Sequence, residues 1–185
     1  TKKEDIEIAG FLAATIAWGN STMIINNANR MMNFLGNSPF DFVINHQEKD
    51  LIPFENFVHR TFNHIDFQFF IKSLQNIYLN HSGLENALKI KDNSNNYQTA
   101  ISNFRNLFFE IEHLPRTHKH VSNPLKNSAS KRINMFLRWM VRNDKTGVDF
   151  GIWNSHNPAY LSCPLDVHSG NVARKLKLLT RKQND

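Results

Sequence analysis

Two side chains in this sequence, Lys131 and Asp166, are of types that can work on an N-glycosidic bond, and each stands where a helix is expected to begin. Lys131 lies in "SASKRINMFLRWMVR" and Asp166 in "PLDVHSGNVARKL". A lysine amine that has lost its proton can attack the sugar C1′ of a nucleotide, displace the base and go on to a Schiff base. Neighbouring cations such as Arg132 and Arg138 would favour the neutral amine that this attack needs. An aspartate at a helix N-cap is held ionised by backbone N–H groups and the helix dipole. It can stabilise positive charge developing on the sugar, or assist proton transfer. The default role of such an Asp is the cap alone, and spacing does not choose between the two.

The elements that must position this pair read as helices. "EDIEIAGFLAATIAW" places Ile8, Phe11, Leu12, Thr15 and Ile16 at helical spacing and ends at Gly19 and Asn20. "TMIINNANRMMNFL" predicts a second helix closed by Gly36, and "SPFDFVIN" a short one with Ser38 at the cap and Pro39 just inside. A long helix is expected from about Asp66 to Asn80, with Gly83 beyond its end, and another in "NNYQTAISNFRNLFFEIEH". No strand alternation survives along the chain. In the helix that carries Lys131, Ser128 is the expected cap. At 100° per residue, Ile133, Phe136, Leu137, Met140 and Val141 share one face, and Lys131, Asn134, Arg138 and Arg142 the opposite one. That cationic face is either solvated or a surface for phosphates. Asp166 is placed as the cap of a last helix whose apolar side carries Val172, Ala173, Leu176 and Leu179, with Arg174 elsewhere on it.

Charge is distributed unevenly. Residues 1–114 hold 9 Lys/Arg against 12 Asp/Glu, whereas residues 115–185 hold 13 against 4. A basic C-terminal third suits a polyanion such as nucleic acid, because Lys and Arg displace the counterions condensed on phosphates; a solvated basic surface is the plain alternative. The chain is long enough for one domain or two small lobes with a real core, and is read as one domain, residues 1–185, with its basic catalytic segment at 115–185. No apolar run approaches the roughly 18–20 residues needed to span a bilayer. The single Cys163 excludes an internal disulfide and a four-cysteine iron–sulfur site, and points to a reducing compartment. Nine His show no metal spacing with a third ligand, so no metal or other cofactor is expected; His118 and His120 read as solvent- or phosphate-facing. The missing initiator Met and the stop after "LLTRKQND" suggest a piece of a longer chain.

"PLDVHSGNVARKLKLL" resembles the proline, aspartate and following helix of the helix-hairpin-helix (HhH-GPD) DNA glycosylase superfamily, with Pro164, Asp166 and His168 matching and Leu165 in place of the usual Val. "SASKRINMFLRWMVR" resembles the superfamily's second hairpin helix, and Lys131 occupies the position of the lysine that is catalytic in bifunctional members. The segments "SKRINMFLRWMVR", "VDFGIW" and "PLDVHSGNVARKLKLL" together are more closely similar to a bacterial family assigned to this superfamily. The resemblance implies an all-α, two-lobed helical fold with double-stranded DNA across the cleft. It implies a base-excision glycosylase, with AP-lyase activity where the lysine acts, removing a flipped damaged base such as an oxidised purine. Lys131 would be the nucleophile and Asp166 the catalytic carboxylate. Asn127, Ser128 and Arg132, in the hairpin, would hold phosphates, and Asn20, after the first helix, would enter the duplex as a wedge.

On this reading Arg138, Arg142, His168 and Arg174 face DNA, and Asp149 and Trp153 either line a base pocket or pin their segment to the core. A monomer in the bacterial cytoplasm, associated with the nucleoid, is expected. Two features depart from the family pattern. The hairpin, usually Leu-Pro-Gly-Val-Gly, is here the glycine-free "NPLKNSAS". Lys131 and Asp166 stand 35 positions apart, so "NDKTGVDFGIWNSHNPAYLSC" must loop out and return. The other functions open to the sequence are a non-catalytic nucleic-acid-binding protein of the same fold and a helical protein without a DNA role.

Overall fold

A helix rich in Ala, Ile and Leu with acidic residues in its first turn is favoured both by propensity and by the helix dipole. The first helix, α1 (Lys3–Thr15), has Glu4 and Asp5 there and buries Ile8, Gly10, Phe11, Leu12 and Ala14. The computed structural model describes residues 2–144 and 146–184 and places α1 at the centre of the fold. Around it run α2 (Ser21–Phe34), α3 (Pro39–Asn45), α4 (His64–Asn80), α5 (Gly83–Ala87), α6 (Gln98–Phe108), α7 (Lys131–Val141) and α8 (Val167–Lys175). The Phe11 ring meets those of Phe70, Phe104, Phe108 and Phe136 at centroid distances of 5.4–5.8 Å. Each such buried ring contributes about 1.5–3 kcal/mol of apolar burial, which answers for much of the Phe-rich composition. The buried apolar side chains form one continuous cluster from α1 to Trp153, so the two expected lobes share a single core.

α1 and α7 pack closely because Gly10 lies between them: a Cβ there would stand 3.0 Å from the Met140 side chain and 3.5 Å from Phe136. α4 begins at a reciprocal cap, with Asn63 Oδ1 accepting from Asp66 N at 3.4 Å and Asp66 Oδ2 from Asn63 N at 3.1 Å. Both strands and α5 were not anticipated. Strands β1 (Val58–His59) and β2 (Phe62–Asn63) form an antiparallel hairpin whose two-residue strands are too short for alternation to register. α5 begins at Gly83, a residue expected only to close the preceding helix.

The segment after α7 does not loop freely. Phe150 N and Gly151 N both donate to Trp139 O, at 2.7 and 3.1 Å, and Trp153 N donates to Met140 O at 2.9 Å. These contacts use carbonyls that the end of α7 leaves without helical partners. The Trp153 indole donates to Glu7 Oε1 at 2.6 Å, and Tyr78 OH donates to Glu7 Oε2 at 2.6 Å. Ser155 Oγ donates to Glu85 Oε1 at 2.6 Å, while His156 sits between Tyr97 OH and Glu85 O, 3.0 Å from each. Burial pushes the Glu7 carboxyl up, against the two hydrogen bonds it accepts, and pushes the His156 imidazole down.

Candidate functional site

Lys131 is the first residue of α7, and the residue before it, Ser130, takes a left-handed φ of 44°. Asn127 also has a left-handed φ, of 57°. The glycine-free hairpin thus makes its turns with an Asn and a Ser, of which Asn is among the residues that tolerate that region best. Ser130, not Ser128, holds the cap position and forms no side-chain cap bond. Ser128 Oγ accepts instead from Ser130 N at 3.2 Å. The first N–H groups of α7 are therefore without a capping side chain, the arrangement in which a helix N-terminus receives an anion.

Asp166 caps α8 as expected. Its Oδ1 accepts from Ser169 N at 2.8 Å, and Ser169 Oγ accepts from Asp166 N at 2.9 Å. Its other oxygen, Oδ2, lies 2.9 Å from Lys131 Nζ, so the two helix starts do meet across the 35-position gap. Both side chains remain about half exposed. The Ser169 N–H first, then Lys131 and the Ser169 hydroxyl, hold the Asp166 carboxyl well below the ordinary carboxylate range. The pair is thus an ionised carboxylate and an ammonium, accessible from solvent, each at the positive end of a helix.

The other residues expected at a DNA surface divide into two groups. Asn20, Asn127 and His168 are exposed, and Asn20 in addition caps α2 by accepting from Met23 N at 3.2 Å. Arg132 and Arg174 are engaged within the protein, which corrects their expected roles, whereas Arg138 and Arg142 stay about half exposed beside a carboxylate. Arg132 turns inward, donating to Thr15 O at 2.7 Å and Lys119 O at 3.0 Å with its guanidinium 4.9 Å over the Trp18 ring. It is a strut between α1, α7 and the 3-10 turn Pro115–His120. Arg138 Nε and Arg142 Nε lie 3.3 and 3.6 Å from Asp149 Oδ2, so a carboxylate from the insert offsets the cationic face. Asn134, placed on that face by spacing, is buried and donates to Ala129 O and Ser130 O, bracing the hairpin from within. Arg174 folds over the C-terminal segment, donating to Arg181 O at 2.9 Å and Gln183 O at 3.0 Å.

The expected base pocket is corrected as well. Trp153 is 1 % exposed and cannot stack on a base without leaving the core, and the Asp149 side chain is buried against its two arginines. Their pinning role is the one the structure bears out. His120 is likewise buried, with Nε2 3.2 Å from Asp66 Oδ2, rather than facing solvent. His118 is half-buried, its Nε2 2.6 Å from that of His113. Sequence reasoning missed a groove of about 540 Å³ along the α1–α7 seam, lined in part by Ala9, Ala13, Met32, Trp139, Val148 and Phe150. The signal for it was the run of small residues on α1 opposite Trp139.

The class that fold and site define is a mostly helical protein whose accessible lysine and aspartate pair at two helix N-termini on a basic C-terminal segment. Over residues 1–185 the chain matches the model of DUF2400, described as a protein of unknown function, and it belongs to that family. No curated protein and no solved structure matches it. No helix among the described residues is long and apolar enough to cross a membrane.

Proposed function

We propose that the protein is a DNA base-excision glycosylase with AP-lyase activity, acting on a flipped damaged base in double-stranded DNA. The observation that carries this reading is the 2.9 Å approach of Lys131 Nζ to Asp166 Oδ2. In the ion pair the amine is an ammonium and has no lone pair, so substrate binding must first separate the two and Nζ must release one proton to solvent. Nζ then attacks C1′, the C1′–N bond breaks, and its electron pair leaves with the base. Asp166, freed from Lys131 and still held ionised by α8, stabilises the positive charge that builds on the sugar. As the sugar ring opens, the C1′–O4′ bond breaks, O4′ takes up the second proton released by Nζ, and the nitrogen lone pair completes the C1′=N bond of the Schiff base. The exposed hairpin at Asn127 and the uncapped start of α7 are suited to the flanking phosphates.

Borohydride trapping on a duplex carrying an abasic site tests the proposal. A covalent adduct is expected with the wild type and not with Lys131→Ala. Base release without any adduct would restrict the function to a monofunctional glycosylase. Salt-sensitive DNA binding with neither adduct nor base release would refute the enzyme and leave a non-catalytic nucleic-acid-binding protein.

A further inference from the structure

The groove missed by sequence reasoning runs along the seam of the helix that carries Lys131. Arg132, the residue after Lys131, donates to Thr15 O, and Ala13 on the groove wall lies two positions before Thr15. At 1.5 Å per residue, that end of the groove is about 3 Å along α1 from Thr15, the residue that the Arg132 side chain reaches. From there the groove extends down α1 past Ala9 to the level of Trp139. Its outer wall is the insert, through Val148 and Phe150, which are 56 % and 52 % exposed. That wall is fixed to α7 by the donation of Phe150 N and Gly151 N to Trp139 O. On the other flank of α7 lie Arg138 and Arg142, half exposed around Asp149. An apolar slot and an amine on one helix match the base and sugar of a nucleotide. The volume is within the range of small-molecule sites, about 300–1,000 Å³.

We propose that this groove receives the flipped base and that its walls select an N-alkylated purine; the inference rests on the glycosylase reading. An oxidised purine differs from its parent by added polar groups, and a site recognises those with hydrogen bonds. The groove offers little for that purpose. Of its polar residues, Asp5 already accepts from Phe40 N at 3.0 Å and Lys2 N at 3.2 Å, and Asn37 stands beside it. Alkylation adds methyl groups, which apolar walls accommodate, and at purine N7 it leaves the ring positively charged. The π faces of Trp139 and Phe150 favour a cationic ring. Such a base is also a good leaving group: the electron pair of the C1′–N9 bond neutralises its charge as Nζ bonds to C1′. With such a leaving group, once Lys131 has parted from Asp166 and lost its proton, departure of the base presents a low barrier.

Three duplexes test this, carrying a single N7-methylguanine, a single 8-oxoguanine or an abasic site. The wild type is expected to release N7-methylguanine at least about tenfold faster than 8-oxoguanine, a margin within reach of apolar discrimination. Ala13→Leu, a good helix former in a half-exposed position, narrows the groove at the Lys131 end. It should lower N7-methylguanine release at least tenfold more than it lowers trapping at the abasic site, which has no base to seat. Phe150→Ala, which removes an exposed wall without touching the core, should shift the same ratio in the same direction. Faster release of 8-oxoguanine, or equal losses of release and trapping in the variants, would overturn the groove and leave the glycosylase reading intact. If the wild type neither traps the abasic site nor releases any base, the glycosylase reading falls and takes the groove with it.

Discussion

The contact that most directly fixes the insert to the core is Trp153 to Glu7, and its energy can be isolated. Trp153→Phe keeps an aromatic ring in a site that is 1 % exposed and 5.3 Å from Phe136, but removes the indole N–H. A lost hydrogen bond to a charged, buried acceptor costs about 1.5–3 kcal/mol. The smaller ring adds roughly 1 kcal/mol of lost packing. In a Glu7→Gln background the amide oxygen can still accept from the indole and Tyr78 OH can turn to accept from the amide, so only a neutral bond is at stake, about 0.5–1.5 kcal/mol. The double-mutant cycle, read by urea unfolding at pH 7, should therefore give a coupling of about 1–1.5 kcal/mol. The sign with pH follows from the raised Glu7 carboxyl. A raised folded value means that its contribution is fully present below its ordinary value near 4.5 and is lost as pH rises through the folded value. Stability of the wild type relative to Glu7→Gln should thus increase as pH falls from 7 toward 5. Additivity of the two substitutions within about 0.3 kcal/mol, or the opposite pH trend, would refute the clamp.

Further outcomes follow from the same contacts. Asp166→Asn should keep α8 capped, since Asn is as good an N-cap as Asp, yet abolish borohydride trapping; trapping at the wild-type rate would remove Asp166 from the chemistry. Because the Asp166 carboxyl is depressed, the cap's electrostatic contribution is present above about 3.8 and is lost only as pH falls through its lower folded value, so circular dichroism of α8 should not change between pH 5 and 8. Asp66→Asn removes a fully buried carboxylate that accepts from Thr117 Oγ1 at 3.1 Å and lies 3.3 Å from Arg116 and 3.2 Å from His120. Burial opposes its charge, but His120, Asn63 N and Arg116 outweigh that and hold it ionised; separating the Arg116 guanidinium from its buried carboxylate should cost about 3–5 kcal/mol in chemical denaturation. Arg132→Met should cost about 2–4 kcal/mol through two carbonyls deprived of a charged donor. It should also raise amide exchange at the end of α1 while leaving that of α4 as it was.

The long helices were legible because their apolar residues repeat at helical spacing over three or more turns, as in α1, α4 and α6. The cap of α8 was legible because Asp166 is followed by a run that can only be helix. The cap of α7 was not: "SAS" offers two serines, and the left-handed φ of Ser130 has no glycine to announce it. Angular spacing correctly brought Arg138 and Arg142 to one side of α7, but it carries no information about Asp149, which arrives from the insert to meet them. Arg132 misled for a related reason. Its neighbour in sequence is Lys131, but its partners, Thr15 O and Lys119 O, are set by tertiary packing, where a long cation with five donors is well suited to bridge carbonyls.

The 35-position gap between lysine and aspartate, an objection when seen in sequence, is accounted for by the path of the chain. α7 carries the chain away from Lys131, and at its far end Trp153 N is bonded to Met140 O. The return from Met140 to the level of Lys131 covers nine residues of helix, about 14 Å. Residues 154–165 could span about 40 Å if extended, so the return has slack, part of which is held at Glu85 and Tyr97 through Ser155 and His156. Only the stretch after His156 is left to deliver Asp166. Closing a loop costs free energy that grows only as the logarithm of its length, and contacts of the insert with the core shorten the loop that the pair must close. The insert therefore replaces a short connection with an anchored one, and supplies Val148 and Phe150 to the groove before it turns back. A shorter connection between the same helix starts would close the Lys131–Asp166 pair equally well, but without Val148 and Phe150 the groove between α1 and α7 would lose its outer wall.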